Sequence, residues 1–404
     1  MNAVGIDVSK GRSTVAVVRP FGEVVRMPFD VLHTASELGE LANFLQSLGG
    51  ETRIVIEFTG KYYEPIAHAL YESGLFVSVI NPILINEYGN NSIRRAKTDA
   101  RDALKIANYA LTNWTALLRF VPEDELRRML KVYNRQCSQY TKIRVMLKNN
   151  LISLLDQTFP GINELFKSPA REDGHEKWVD FAAKFWHCQC ITSLTQRTFS
   201  ERYAKWCRKH GYNYSESKAE GIYFSSAGHF NTLPMSDASK ALVIQAVAQL
   251  NTVNETIAAT KREMTAIASQ LPEFDTVLAM HGVGKTLAPQ LIAEIGDVRR
   301  FEKKSSLVCF AGVEPPENSS GNFVQKSRSM SKQGSPSLRK TLFIVMSCVL
   351  KLQHQEEPVF QFLDRKRAEG KPYRVYMVAG MNKFLRIYYA RVKECLNAAE
   401  VADL

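Results

Sequence analysis

The sequence predicts an α/β domain at the N-terminal end, a helical coiled-coil middle region and a mostly α-helical C-terminal part. Three patterns predict it. Up to about residue 115, strand-type and helix-type runs follow in the order three strands, helix, strand, helix, strand, helix. From Leu126 to Leu155 and from Val243 to Leu271, apolar or aromatic side chains recur every seven residues. From Pro272 onward, apolar stretches of helical period alternate with turns rich in glycine, proline and serine. The divisions are residues 1–115, residues 116–271 with an insert at about 160–240, and residues 272–404.

In the first part, Val4 to Val8 reads as a strand carrying Asp7, broken at Gly11. Ser13 to Val18 and Glu23 to Val31 are further strands, parted by the turn Pro20-Phe21-Gly22. Ser36 to Leu48 is an amphipathic helix with Leu38, Leu41, Phe44, Leu45 and Leu48 on one side. Arg53 to Phe58 is a buried-type strand carrying Glu57; a helix from about Tyr62 to Ser73 and a strand from Phe76 to Ile80 follow. A last helix opens at Thr98, a capping residue, and Asp99 and Asp102 share its face. Arg94, Arg95, Lys97, Arg101 and Lys105 surround that pair. Neighbouring carboxylates repel unless a cation sits between them, so carboxylates within a cationic strip point to a metal-assisted site facing a polyanion. A solvated acidic turn that complements the helix dipole accounts for the same pair without a metal.

This element order is that of the ribonuclease H-like (RuvC-like) fold, an antiparallel meander extended by parallel crossovers. In that topology the first and fourth strands are neighbours, which brings Asp7 beside Glu57, and the last helix carries Asp99 and Asp102 to the same edge. Four carboxylates suffice for two divalent ions roughly 4 Å apart. Hard oxygen ligands and a phosphate substrate indicate Mg²⁺. Taken singly, Asp7 can merely end its strand and Glu57 can cap the next helix.

Charge narrows the partners. Lys and Arg number 52 against 41 Asp and Glu, a formal charge of +11, and the excess is clustered in several helices. That favours a polyanion over a small acidic substrate. The 45% hydrophobic and 23% charged content is that of a soluble globular protein. Met1 to Asp7 lacks the basic and apolar regions of a signal peptide, and no run of about 18 apolar residues occurs, which excludes a membrane-spanning reading. Seven cysteines, an odd number, indicate reduced thiols and a cytoplasmic setting.

In the middle, Leu126, Tyr133, Tyr140, Leu147 and Leu154 form one row, and Leu130, Cys137 and Leu151 another, interrupted by Arg144. Val243, Leu250, Ile257, Met264 and Leu271 repeat the pattern. The two segments can pair as an antiparallel hairpin within one chain or as an assembly arm between chains. Lys131, Arg135, Lys142, Arg144 and Lys148 give the first segment a basic face, either solvated or a nucleic-acid stripe. Between the segments, Cys188, Cys190, Cys207 and His210 offer zinc ligands at unusual spacing, while Phe185, Trp186, Tyr203 and Trp206 indicate a small aromatic core. Mixed with Arg202, Lys205, Arg208, Lys209 and Lys218, the same aromatics could instead stack on nucleic-acid bases.

In the last part, Met280 to Thr286 lacks the first glycine of a P-loop and fits a helix-hairpin-helix better. There Gly282 and Gly284, with Lys285, let the backbone turn beside a phosphate, and the helix from Thr286 to Ile295 presents its free N–H groups. A loop follows with Asn318-Ser319-Ser320-Gly321, then Lys326, Arg328, Lys332, Arg339 and Lys340. A serine beside glycine is ordinary turn chemistry; an alcohol that attacks phosphorus needs in addition a base or metal and cations to hold the phosphate. Thr341 to Leu352 and Val359 to Leu396 read as packing helices.

Gly5-Ile6-Asp7-Val8-Ser9-Lys10, Ile56-Glu57-Phe58-Thr59-Gly60 and Lys97-Thr98-Asp99-Ala100-Arg101-Asp102-Ala103 together resemble the N-terminal domain of the DEDD-type insertion-sequence transposases, whose relatives include the Piv-like DNA invertases. The run from Ala311-Gly312 through the serine loop resembles the transposase domain of the same family. The resemblance implies a site-specific recombinase of an insertion element, with Asp7, Glu57, Asp99 and Asp102 on Mg²⁺ and Ser320 as nucleophile, Ser319 being its rival. It further implies a dimer or tetramer with composite sites, double-stranded donor and target DNA chosen by an element-encoded bridge RNA, and a bacterial or archaeal cytoplasm. The rivals are a RuvC-like junction-resolving endonuclease that uses water as nucleophile and a non-catalytic nucleic-acid-binding protein.

Overall fold

The computed structural model describes residues 1–88, 98–315, 319–320, 323–324 and 329–402. The chain divides into two compact units, Met1–Pro122 and Glu123–Leu404.

The first unit is built on a five-stranded sheet of β1 (Asn2–Ser9), β2 (Arg12–Val18), β3 (Val24–Leu32), β4 (Thr52–Glu57) and β5 (Phe76–Ile80). The strand order is β3-β2-β1-β4-β5. The hairpin pairs are antiparallel, whereas β1–β4 and β4–β5 are parallel. This is the meander-plus-crossover topology expected from the element order. Helices α1 (Ala35–Ser47) and α2 (Glu64–Glu72) cover one face, where Leu38, Leu41, Leu45, Ile66 and Leu70 meet Val4, Ile6, Ile54 and Ile56. A short α3 (Pro82–Glu87) precedes α4 (Asp99–Thr112), which covers the other face with Ala103, Ile106, Ala107 and Ala110. Burial on both faces is why Ile54-Val55-Ile56 is an unbroken apolar run.

Gly5 sets how closely α4 can lie. A Cβ placed on it would sit 2.2 Å from Ala103 O and 2.2 Å from Ala107 N. The helix backbone therefore rests on the strand backbone, an approach that only glycine in β1 and alanines in α4 permit.

In the second unit, α5 (Glu125–Leu155) is followed by α6 (Lys177–Lys184), α7 (Gln189–Thr192), α8 (Gln196–His210), α9 (Glu216–Ser226) and α10 (Asp237–Ala268). The two long helices, α5 and α10, pack antiparallel within the chain. Leu130 and Cys137 share a core with Ile257 and Met264, while Leu151 and Leu155 share another with Val243 and Leu250. The insert between them has its own aromatic core. Phe181, Phe185, Trp186, Phe199, Tyr203 and Trp206 are all buried. This corrects one expectation: Phe185, Trp186, Tyr203 and Trp206 face inward, so they offer no ring to a nucleic-acid base.

The remainder comprises α11 (Phe274–Leu278), α12 (Leu287–Ile295), α13 (Lys304–Ala311), the two-residue strands β6 (Ser319–Ser320) and β7 (Phe323–Val324), α14 (Pro336–Leu352), α15 (Pro358–Ala368) and α16 (Tyr373–Ala402). One core runs through this region into α5 and α10, from Leu130 through Leu271 and Phe274 to Leu396. The helix expected from Val359 to Leu396 is two helices, because Gly370 adopts φ +73° and Pro372 follows it. No described helix is long and apolar enough to cross a membrane.

Candidate active site

The C-terminal ends of β1 and β4 carry the first two carboxylates. Ile6 pairs with Ile56 across the parallel ladder, so Asp7 and Glu57 are the next residue on neighbouring strands. With a period of two, both belong to the face of Gly5 and Val55, which α4 covers. Because Ala103 and Ala107 lie over Gly5, the first turn of α4 comes to the same edge. Thr98 caps that turn, its hydroxyl accepting the Arg101 N–H at 3.3 Å, as its position before Asp99 predicts. Asp99 is exposed and Asp102 half-buried. Both lie in the first turn, where the helix dipole favours negative charge.

The backbone thus brings the four expected carboxylates to one edge, and neither Asp7 nor Glu57 is without an interaction partner. Among the described residues no three His, Cys, Asp or Glu side chains close into a metal cage. The donor set fits Mg²⁺ by chemistry, being made only of hard carboxylate oxygens at a half-open edge. Arg94, Arg95 and Lys97 lie outside the described residues; Arg101 is exposed.

A fifth carboxylate, not anticipated from sequence, joins this edge. Asp30 of β3 pairs with Thr14 of β2, which in turn pairs with Asp7 of β1, so the three share one row of the sheet. The Thr14 hydroxyl donates to Asp30 Oδ1 at 2.7 Å. Arg12 lies 3.6 Å from Asp30 Oδ2 and 3.8 Å from Asp99 Oδ2. Thr14, Phe29, Asp30, Thr98 and Asp99 line an open depression beside them.

The expected nucleophile belongs to the second unit. Ser319 and Ser320 form β6 and pair with Val324 and Phe323 of β7 in a minimal hairpin. Lys326 and Arg328 lie outside the described residues. The stem from which the hairpin springs is tightly closed. Ser331 donates its hydroxyl to Glu314 Oε1 at 2.7 Å and its N–H to the Glu314 carbonyl at 2.8 Å. Below that, Lys332 N–H meets the Gly312 carbonyl and Ser335 N–H the Phe310 carbonyl. A Cβ on Gly334 would fall 2.4 Å from Phe310 O, so the two stem segments touch backbone to backbone. Arg339, expected as a phosphate ligand, donates to the Ala311 carbonyl at 3.0 Å and so braces this stem. Lys332 and Lys340 remain exposed.

The turn between α11 and α12 contains Gly282, Gly284 and Lys285. Gly282 adopts φ +79° and faces α14, where an added Cβ would meet Val349 Cγ2 at 2.6 Å. Its missing side chain therefore serves internal packing. Gly284 has open space around it, and Lys285 is exposed. Cys188 and Cys207 are buried beside the aromatic core, and burial pushes both thiols up from their ordinary pKa, which disfavours the thiolate that zinc requires.

Comparison with known proteins agrees at both ends of the chain. Residues 4–160 match a transposase model of the DEDD, IS110 type. Residues 275–360 match the transposase IS116/IS110/IS902 family. The pilin gene-inverting protein of Moraxella bovis is 24% identical over 342 residues, covering 84% of this chain and 80% of that protein. An insertion element IS116 protein of Streptomyces clavuligerus is 22% identical over 321 residues, covering 79% of this chain and 77% of that one. Among solved structures, Thermus thermophilus RuvC in complex with a Holliday junction substrate covers 29% of this chain and 96% of its own, at 14% identity and a TM-score of 0.23. Matched at both ends and in order, the chain belongs to the IS110-type DEDD transposases, the family that its acidic and serine motifs resemble.

Proposed function

We propose that the protein is a Mg²⁺-dependent DNA recombinase that moves an insertion element through a serine-linked intermediate. The observation that carries this reading is the convergence of β1, β4 and α4 on one edge bearing Asp7, Glu57, Asp99 and Asp102. Asp7 and Glu57 would hold one side of the metal site and Asp99 and Asp102 the other. Bound there, divalent ions would offset charge on the attacking and leaving oxygens of a phosphodiester. The Ser320 hydroxyl would attack phosphorus, losing its proton as the bridging oxygen of the cut strand leaves. The resulting phosphoserine conserves the energy of the broken bond, and an incoming strand end reverses the step. The closed stem at Glu314–Ser331 supports a positioned hairpin. Strand exchange would then pass through a junction.

Family membership also supports composite sites shared between protomers of a dimer or tetramer, and the choice of donor and target DNA by an element-encoded bridge RNA. The formal charge of +11 and the exposed Arg135, Lys142, Arg208 and Lys209 suit such polyanions.

Trapping of cut DNA on protein tests the mechanism. The wild-type chain and Ser319→Ala are expected to give a DNA adduct that resists denaturation, and Ser320→Ala none. Ser320→Ala that still cuts, with water as nucleophile, would instead establish a junction-resolving endonuclease. Asp102→Ala that leaves element excision unchanged would point to a binding protein.

A further inference from the structure

The ion pairs around Arg12 are the least expected feature of the acidic edge. Its guanidinium reaches Asp30 on β3 and Asp99 on α4, two elements far apart in sequence. At 3.6 and 3.8 Å neither contact has hydrogen-bond length, and Arg12, Asp30 and Asp99 are 53%, 55% and 52% exposed. Pairs this open hold weakly, which suits a contact that must break. Asp30, by contrast, is anchored by the Thr14 hydroxyl at 2.7 Å. Arg12 therefore has one fixed partner and one partner on the turn expected to meet a metal.

We propose that Arg12 is an internal counter-cation of the acidic edge: it neutralises Asp99 while no divalent ion is bound, and cedes Asp99, staying on Asp30, when one binds. The proposal rests on the metal reading above. Two cations cannot both occupy the space in front of one carboxylate, so Arg12 must lower the affinity of the edge for a divalent ion. In the absence of that ion, it offsets the repulsion that Asp99 would otherwise exert on Asp30 and Asp102.

Titration of the full chain with Mn²⁺, free ion being read by electron paramagnetic resonance, tests this without any reaction. Arg12→Gln is expected to tighten Mn²⁺ about five- to tenfold, the scale of removing one cation a few ångströms from a divalent ion at a solvated surface. Lys10→Gln removes the same charge from the exposed turn just before Arg12 and is expected to change affinity less than about twofold. Wild-type binding that Arg12→Gln leaves unchanged overturns the proposal alone. Equal gains from both variants overturn it too, since the general field would then suffice. If wild type and Arg12→Gln bind no better than Asp102→Asn, the metal reading falls and takes the proposal with it.

Discussion

Gly5→Ala puts the contact between β1 and α4 to a direct test. The new methyl would lie 2.2 Å from Ala103 O and Ala107 N and 2.8 Å from Ala107 Cα, all of them backbone atoms that cannot rotate away. Ordinary contact begins near 3.4 Å, so α4 must lift by about 1.2 Å (3.4 − 2.2). Forcing one extra carbon into a packed interior costs about 1–3 kcal/mol; with backbone on both sides the upper end, about 3 kcal/mol, is expected. Without α4 the sign would reverse, since alanine in place of a strand glycine gains roughly 0.5–1 kcal/mol. Urea unfolding measures the loss, and hydrogen–deuterium exchange along Asp99–Thr112 localises it. The same shift moves Asp99 and Asp102 away from Asp7 and Glu57, and an ångström of misplacement at a reacting centre costs about a hundredfold in rate. Element excision should fall by that order in chains that remain folded. A neutral or stabilising Gly5→Ala, or one with normal exchange in α4, would refute the reasoning.

Two further predictions concern the second unit. Arg127 donates to Glu273 at 2.5 and 2.9 Å and to Asp124 at 2.6 Å, with Arg127 only 8% and Glu273 1% exposed. Arg127→Met is expected to cost about 3–5 kcal/mol in urea unfolding, and Arg127→Met with Glu273→Leu to recover most of it; equal losses in single and double variants would mean that packing, not charge, dominates there. Protonated His175 donates to Asp180 at 2.9 Å and to Glu255 at 2.8 Å, and Asp180 also accepts from the Tyr212 hydroxyl at 2.6 Å. Burial opposes its charge, but the hydrogen bonds to Glu255 and Asp180 outweigh burial and raise its pKa above the ordinary 6.5. The stability it contributes is therefore full below about pH 6.5 and lost as pH rises through the raised folded value. Thermal melts from pH 5 to 9 should show that decline, and His175→Gln should flatten it; identical profiles would exclude His175 as the source.

Much of the N-terminal unit was legible because its signals are local. Thr98 followed by Asp99 names a helix start, and Ile54-Val55-Ile56 names a strand covered on both sides. The second unit was harder. Its aromatics carried two readings, core or nucleic-acid platform, and only the packing of Phe185, Trp186, Tyr203 and Trp206 into one cluster separated them. Asp30 was missed for a register reason. Close to the turn Val18 pairs with Val24, a sum of 42, which carried along the hairpin would set Thr14 opposite Pro28. Irregularities at Val15, Val17 and Val18 shift the pairing by two, and Thr14 meets Asp30 instead.

By itself the sequence determined the order of the strands and longer helices of the N-terminal unit and the Thr98 cap, though not the short α3 or every element's bounds, since caps, turns and periodicity act over a few residues. It also determined the family, whose acidic and serine motifs are short and contiguous. Only the tertiary structure decided that α4 rests on Gly5, that Asp30 and Arg12 join the acidic edge, and that Gly282 serves the packing of α14. Those outcomes depend on strand register and on ångström-scale backbone approach between segments distant in sequence, which local patterns do not encode.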